Sequence, residues 1–275
     1  MARKDESAAA PRRALIEETS PEPEPERLTF AQHVVAFLKE LTAVVVGAVI
    51  VASLLRGFVG QMFLIPSVSM EDTLRVSDRV VVEKLSTIKR GEIVVFKDPG
   101  GWLTGPTAPK RGVIGRAFQF IGVLPDPSTE HLIKRVIGMP GDKVVCCDAA
   151  GRITVNDTPL EESGYLFTDP DGVQVSPSTI QFEVLVPAGH IFVMGDHRDR
   201  SSDSRCHLDD PAPGGLKGEN AFVDTDLVVG RGIAVAWPFA RRHTLPIPDT
   251  FEAVPPGKQP APDHPEITAG SEGIC

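Results

Sequence analysis

Three short stretches carry side chains that could do chemistry together. The first is IPSVSMEDTL (Ile65–Leu74), where a proline and two serines two residues apart stand among small and apolar neighbours. A serine in such a loop, here Ser69, serves either as a nucleophile or as an ordinary turn residue, and the loop alone does not choose. The second is HLIKRVIGMPGD (His131–Asp142), which sets Lys134 in an apolar run. A lysine drawn into an apolar strand must pair with an acid or give up its proton, because desolvation disfavours the charged amine. A neutral amine can accept the proton of a serine hydroxyl and so activate it. The plainer alternative puts Lys134 on the solvent face of its strand. The third is MGDHRDRSSDSR (Met194–Arg205), which gathers Asp196, Asp199 and Asp203 with Arg198, Arg200, Arg205 and three serines. The carboxylates could hold a metal, but as many arginines would neutralise them, so an ion-pair network is expected. His197 invites a Ser/His reading, against which a surface or supporting histidine is the expectation.

Such groups need a frame. A chain of 275 residues allows one large domain or two small ones, and 41% hydrophobic residues suffice for a core. Gly 25 and Pro 25 are too many for a helical protein and point to a loop-rich β fold. Apolar, β-branched runs predict strands within Asp78–Leu85, Gly91–Asp98, Lys143–Leu160 (a hairpin around DAAG), Phe182–Asp196 (two strands around PAG) and Leu227–Phe239. The result is a mostly β domain over about 61–240. Two stretches read as insertions, about 99–130 and 162–179, and 241–275 reads as a proline-rich C-terminal tail. Within the first insertion, Gly112–Pro125 is apolar enough to be core or membrane-surface contact.

Residues 1–32 are polar and rich in Pro and Glu, and are expected to be a disordered tail. The chain then changes character. Leu41–Leu55 runs 15 residues without a charge. That is only about 22 Å of helix against hydrocarbon about 30 Å thick, so the flanks must contribute, with Lys39 and Arg56 snorkelling. A single transmembrane helix over 33–60 is expected. A cleaved signal peptide fits less well behind so long and acidic a leader, and a buried core helix fits less well because the apolar residues form no single face. Basic residues near the span, Arg27 and Lys39 before it and Arg56 after it, favour the N-terminus inside and everything beyond about Gly60 outside the cell. The net charge of -9, with no long basic block, argues against nucleic acid as a partner. The four cysteines (Cys146, Cys147, Cys206, Cys275) have no zinc-binding spacing. In an oxidising compartment one disulfide from Cys146 or Cys147 to Cys206 is expected, the adjacent pair not bonding to each other.

The order Pro-Ser-x-Ser-Met after a span, Asp-Arg-Val-Val-Val-Glu-Lys, Ile-Lys-Arg-Val-Ile-Gly-Met-Pro-Gly-Asp and Gly-Asp-x-Arg-Asp-x-Ser-x-Asp-Ser-Arg resembles the bacterial type I signal peptidases from about Leu41 to Phe239. The resemblance implies a signal-peptidase-type β domain and a Ser/Lys dyad, with Ser69 as nucleophile and Lys134 as general base. It implies an oxyanion hole from the Ser67 hydroxyl and the Ser69 N–H. It also implies that Ser201 orients the lysine, that Asp203 and Arg205 form a supporting ion pair, and that Arg135 and Asp142 are structural. Phe63, Ile65, Met70, Leu74 and Ile133 match pocket positions that select small residues, typically alanine, at the first and third positions before the cut. His197 and Arg200 depart from the family's usual asparagines. The implied activity is removal of signal peptides from secretory preproteins at the outer face of the cytoplasmic membrane, with preproteins, membrane phospholipids and the export machinery as partners and no metal or organic cofactor. A self-cleaving Ser/Lys repressor should carry a DNA-binding domain before the β region, where a disordered tail and a span are expected instead. A non-catalytic anchored scaffold conflicts with the retained Ser69, Lys134 and Ser201.

Overall fold

The structure is a computed structural model that describes residues 29–54, 60–103, 112, 131–211 and 215–270. Helix α1 (Phe30–Leu54) starts where Thr29 donates its backbone N–H to the Gln32 side chain at 2.7 Å, one half of a capping box. Its 25 residues extend about 37 Å, more than the hydrocarbon thickness of a bilayer. Phe30–Ser53 is long and apolar enough to cross a membrane. The helix was expected over 33–60; residues 55–59 lie outside the described ones, and a strand begins at Gly60.

The β region consists of two antiparallel sheets. The strands are β1 (Gly60–Leu64), β2 (Arg79–Glu83), β3 (Ile93–Lys97), β4 (His131–Gly138), β5 (Lys143–Cys146), β6 (Ile153–Val155), β7 (Thr158–Pro159), β8 (Phe182–Leu185), β9 (His190–Met194), β10 (Val223–Asp224), β11 (Val228–Trp237), β12 (His243–Thr244) and β13 (Glu266–Gly270). The larger sheet runs β1-β2-β11-β3-β4-β9-β10, with β12 added to β11, and the smaller runs β13-β8-β5-β6-β7. Sequence pattern explains the placement. β2 buries Val80 and Val82 and turns Arg79 outward, the alternation of a strand with one wet face. β3 lies between β11 and β4 and buries Ile93, Val94, Val95 and Phe96 on both faces, which is why IVVF shows no alternation. Ile93 and Val95 join one core with Phe63, Met70 and Ile133, while Val94 and Phe96 join a second with Val136, Ile191 and Val193. Phe182, Phe192 and Ile137 belong to a third core that carries the smaller sheet. Each such side chain contributes about 1.5–3 kcal/mol by leaving water.

Two segments read as appendages are built into this frame. In the 162–179 stretch, Tyr165 and Leu166 are buried in the third core. The region after β11 wraps the smaller sheet: Phe251 and Val254 enter the same core, Asn156 Nδ2 donates to the Pro255 carbonyl at 2.9 Å, and β13 pairs with β8. Gly91, at φ +80°, leaves the space that Phe251 fills, since a Cβ there would lie 2.6 Å from its ring. Apart from Gly112, the apolar stretch 112–125 lies outside the described residues.

The expected bridge to Cys206 is not formed by either adjacent cysteine. Cys146 and Cys147 bond to each other, with S–S 2.03 Å. The adjacent pair was expected not to bond to each other; a trans peptide would hold neighbouring Cα atoms about 3.8 Å apart. The Cys146–Cys147 peptide is cis and brings them to 3.0 Å. Cys206 is not a free thiol either.

Candidate active site

Ser69 sits on the loop between β1 and β2. Both ends of that loop are pinned: Ile65 N–H donates to the Asp78 carbonyl and Ser77 N–H to the Ile65 carbonyl, each at 2.9 Å. Met70 and Leu74, both fully buried, hold its middle in the core, and Leu74 N–H closes a turn on the Met70 carbonyl at 2.7 Å. Thr73 Oγ1 donates to Asp196 Oδ2 at 2.6 Å and ties the loop to the end of β9. The nucleophile candidate therefore stands on a fixed turn rather than a mobile one.

Lys134 stands in β4, paired in register with Val94 of β3. Its Nζ donates to Ser69 Oγ at 2.6 Å, and both residues are buried, at 4% and 5% exposure. Burial pushes the amine down to about 8; Asp203 and Asp196 act against this and the Arg205 guanidinium adds to it. A lysine sealed in the interior thus holds a useful neutral fraction near neutral pH. Ser67 Oγ lies 3.3 Å from Ser69 Oγ.

The third motif closes over this pair. Asp203 accepts from Gly195 N–H at 2.9 Å, from Ser201 Oγ at 2.7 Å and from both Arg205 Nε and Nη2 at 2.9 Å. Burial alone would raise the Asp203 carboxyl, but the Arg205 charge and these hydrogen bonds outweigh it and hold the group below its usual value. The Ser201 proton is thus directed at Asp203. Gly195 is required sterically, because a Cβ there would lie 2.2 Å from Ser201 Oγ and 2.4 Å from the Ser69 carbonyl oxygen.

The expected ion-pair network exists and reaches further than its motif. Arg198 lies in a buried pair with Glu162 at 2.6 Å and donates to the Gly195 carbonyl at 2.8 Å. Arg135, on β4 beside the lysine, grips Asp196 with Nε at 2.8 Å and Nη2 at 2.6 Å, donates to the Gly91 carbonyl at 2.7 Å and lies over the Tyr165 ring. Asp142 accepts from Arg90, Met139 N–H and Asn156 Nδ2 at the turn after β4. The same Asn156 heads the sequon Asn-Asp-Thr, and its amide nitrogen is committed to these partners.

Phe63, Ile65, Met70, Leu74 and Ile133 gather in one apolar cluster with Val80, Val82 and Val235. Sequence reasoning named these residues, the two dyad members and the Ser201, Asp203 and Arg205 trio, and the structure brings them into one region. It did not name Glu162, Thr73, Gly195 or the Arg135–Asp196 pair as parts of the site. Thr73 and Gly195 stood inside quoted motifs. Glu162, 36 positions before Arg198, left no spacing signal.

The sequence profile described as signal peptidase, peptidase S26, matches residues 38–237. A signal peptidase I of Mycobacterium tuberculosis is 35% identical over 229 residues, covering 74% of each chain. A signal peptidase I of Leptolyngbya laminosa is 32% identical over 209 residues, covering 74% of this chain and 82% of the relative. A protein of Arabidopsis thaliana described as a probable chloroplastic thylakoidal processing peptidase is 32% identical over 195 residues, covering 70% of this chain and 42% of the relative. The chain belongs to the bacterial type I signal peptidases, the S26 family of serine peptidases. It is a hydrolase, with a mostly β domain and one N-terminal apolar helix.

Proposed function

We propose that this enzyme cleaves signal peptides from secretory preproteins with Ser69 as nucleophile and Lys134 as general base. The observation that carries the reading is the 2.6 Å contact between Lys134 Nζ and Ser69 Oγ in a buried setting that pushes the amine down to about 8. In the neutral state the amine takes the Ser69 hydroxyl proton as Oγ attacks the scissile carbonyl carbon. The Ser69 N–H and the Ser67 hydroxyl receive the developing oxyanion, each such donor being worth about 3–4 kcal/mol. The lysine ammonium then returns its proton to the leaving amide nitrogen, and the C–N bond breaks to leave an ester on Ser69. Water, deprotonated by the same amine, attacks the ester carbonyl and frees the serine. Ser201, with its proton given to Asp203, offers lone pairs that orient the Lys134 amine. Buried Asp203 and Arg205 hold Ser201 in place.

Specificity follows from the apolar cluster. Phe63, Ile65, Met70, Leu74 and Ile133 are 0–6% exposed and pack in one apolar cluster, and in this reading the subsites they wall admit small side chains only. Overfilling such a site costs about 1–3 kcal/mol, which selects alanine-sized residues at the first and third positions before the cut. Helix α1 anchors the enzyme in the cytoplasmic membrane with the N-terminus inside and the β domain outside. Anchoring both enzyme and signal peptide raises their effective concentration. Met62 at 54%, Trp237 at 46% and Phe239 at 70% exposure add an apolar surface suited to phospholipid contact. Export machinery delivers the preproteins.

The test uses the full chain in lipid–detergent micelles with a preprotein carrying an Ala-x-Ala site. The reading predicts cleavage after the second alanine, none by Ser69→Ala, and a strong loss when that alanine becomes leucine. Cleavage by Ser69→Ala would refute the nucleophile, and equal cleavage of the leucine substrate would refute the pocket.

A further inference from the structure

His197 is used by no step above, and its surroundings are unusual. Its backbone N–H donates to the Ser69 carbonyl at 3.1 Å. Its ring is 6% exposed and stacks on Phe167 with centroids 3.8 Å apart and planes at 20°. Phe167 is itself fixed, its N–H donating to the Asp196 carbonyl at 3.2 Å and its carbonyl accepting from Val175 N–H at 3.0 Å. The ring edges face two carboxylates from two different loops. Nε2 lies 3.2 Å from Asp199 Oδ1, two residues before Ser201. Nδ1 lies 3.6 Å from Glu71 Oε2, two residues after Ser69. That second distance is too long for a hydrogen bond, and Nδ1 is a buried nitrogen with no hydrogen-bond partner. The neighbouring cation Arg198 does not compete, being committed to Glu162 and to the Gly195 and Pro177 carbonyls.

A buried nitrogen left unsatisfied is costly, and the nearest group able to satisfy it is on the nucleophile loop. We propose that His197 is a positioning residue that locks the nucleophile loop to the Ser201 loop, its Nδ1 closing on Glu71 when substrate fills the site. This rests on the Ser69/Lys134 reading. Protonated imidazole donates from both ring nitrogens, so a single ring in that form can hold a carboxylate of each loop. Hydrogen bonds of a catalytic site are often long before substrate binds and tighten in the complex. The lock acts on the Ser69–Lys134 distance from two sides, through the Ser69 carbonyl and through Glu71, without touching substrate.

A plain packing role for the ring predicts something different, and His197→Phe separates the two. Phenylalanine keeps the stack on Phe167 and removes both nitrogens. Positioning predicts that His197→Phe lowers kcat about tenfold with KM within about twofold of wild type, because the loss is one of alignment. Glu71→Gln, a near-isosteric change at a partly exposed residue, should lower kcat similarly, and the double variant should fall no further than either single one. His197→Asn, which keeps a polar donor, should recover part of the loss. The proposal is overturned if His197→Phe or Glu71→Gln retains kcat within about twofold of wild type, or if the two losses multiply. Turnover surviving Ser69→Ala would instead overturn the dyad, and the role of His197 with it.

Discussion

With Lys134 as the proposed general base, its protonation sets the pH dependence of turnover. Its amine is lowered from 10.5 to about 8, chiefly by burial. Only the neutral amine accepts the serine proton, and the neutral fraction grows as pH rises, so activity must rise with pH and level off above about 8. At pH 7 roughly one tenth of the lysine is neutral, about 300-fold more than at the ordinary value, a difference of about 3.4 kcal/mol. Between pH 8 and pH 6 kcat/KM should fall about 50-fold, approaching a slope of one per unit. The assay is initial rate on a peptide substrate with no group titrating between about pH 5.5 and 10, using the full chain in micelles and back-titrated to show reversibility. Asp203 holds the amine up, so Asp203→Asn should displace the surviving activity's acid limb toward lower pH. A wild-type profile still climbing about tenfold per unit between pH 8.5 and 10 would show an ordinary, solvated lysine and refute the reasoning.

Other perturbations test the scaffold. Ser67→Ala should lower kcat about 10²–10³-fold with little change in KM, read from steady-state kinetics, since it removes one of the proposed oxyanion donors. Gly195→Ala should abolish measurable turnover in the same assay, because its methyl meets Ser201 Oγ at 2.2 Å and the Ser69 carbonyl at 2.4 Å. Glu162→Gln should destabilise the fold by about 3–5 kcal/mol, leaving Arg198 buried without its carboxylate, as a fall in Tm of the full chain would register. Phe251→Ala should cost about 3–5 kcal/mol by the same measurement, emptying the space against Gly91.

The parts of this molecule that were legible in its sequence are those where chemistry and periodicity are local. IPSVSMEDTL, the run around Lys134 and MGDHRDRSSDSR each showed their reactive groups in a few residues, and RVVVE and IVVF read as strands from their apolar content. What stayed hidden depends on long-range contact. Glu162 looked like part of an insertion because its partner Arg198 is 36 residues away. The segment after β11 looked like a tail because polar and proline residues outnumber the few anchors, Ile247, Phe251, Val254 and Ile267, that seat it. The Cys146–Cys147 bond was not expected because the two are adjacent, and the sequence carries no signal for which cysteines pair. His197 was expected to be a surface or a supporting residue, and its ring contacts with Glu71 and Asp199 required both loops in place.

The most direct test of the central claim, that Lys134 activates Ser69 to form an ester with the signal peptide, is to trap that ester. Enzyme and peptide substrate are mixed, acid-quenched within the first turnover and digested, and the acylated residue is read by mass. The account predicts the acyl mass on Ser69 in the wild type and its absence in Lys134→Ala. An acyl group on another residue, or equal acylation of Ser69 without Lys134, would contradict it.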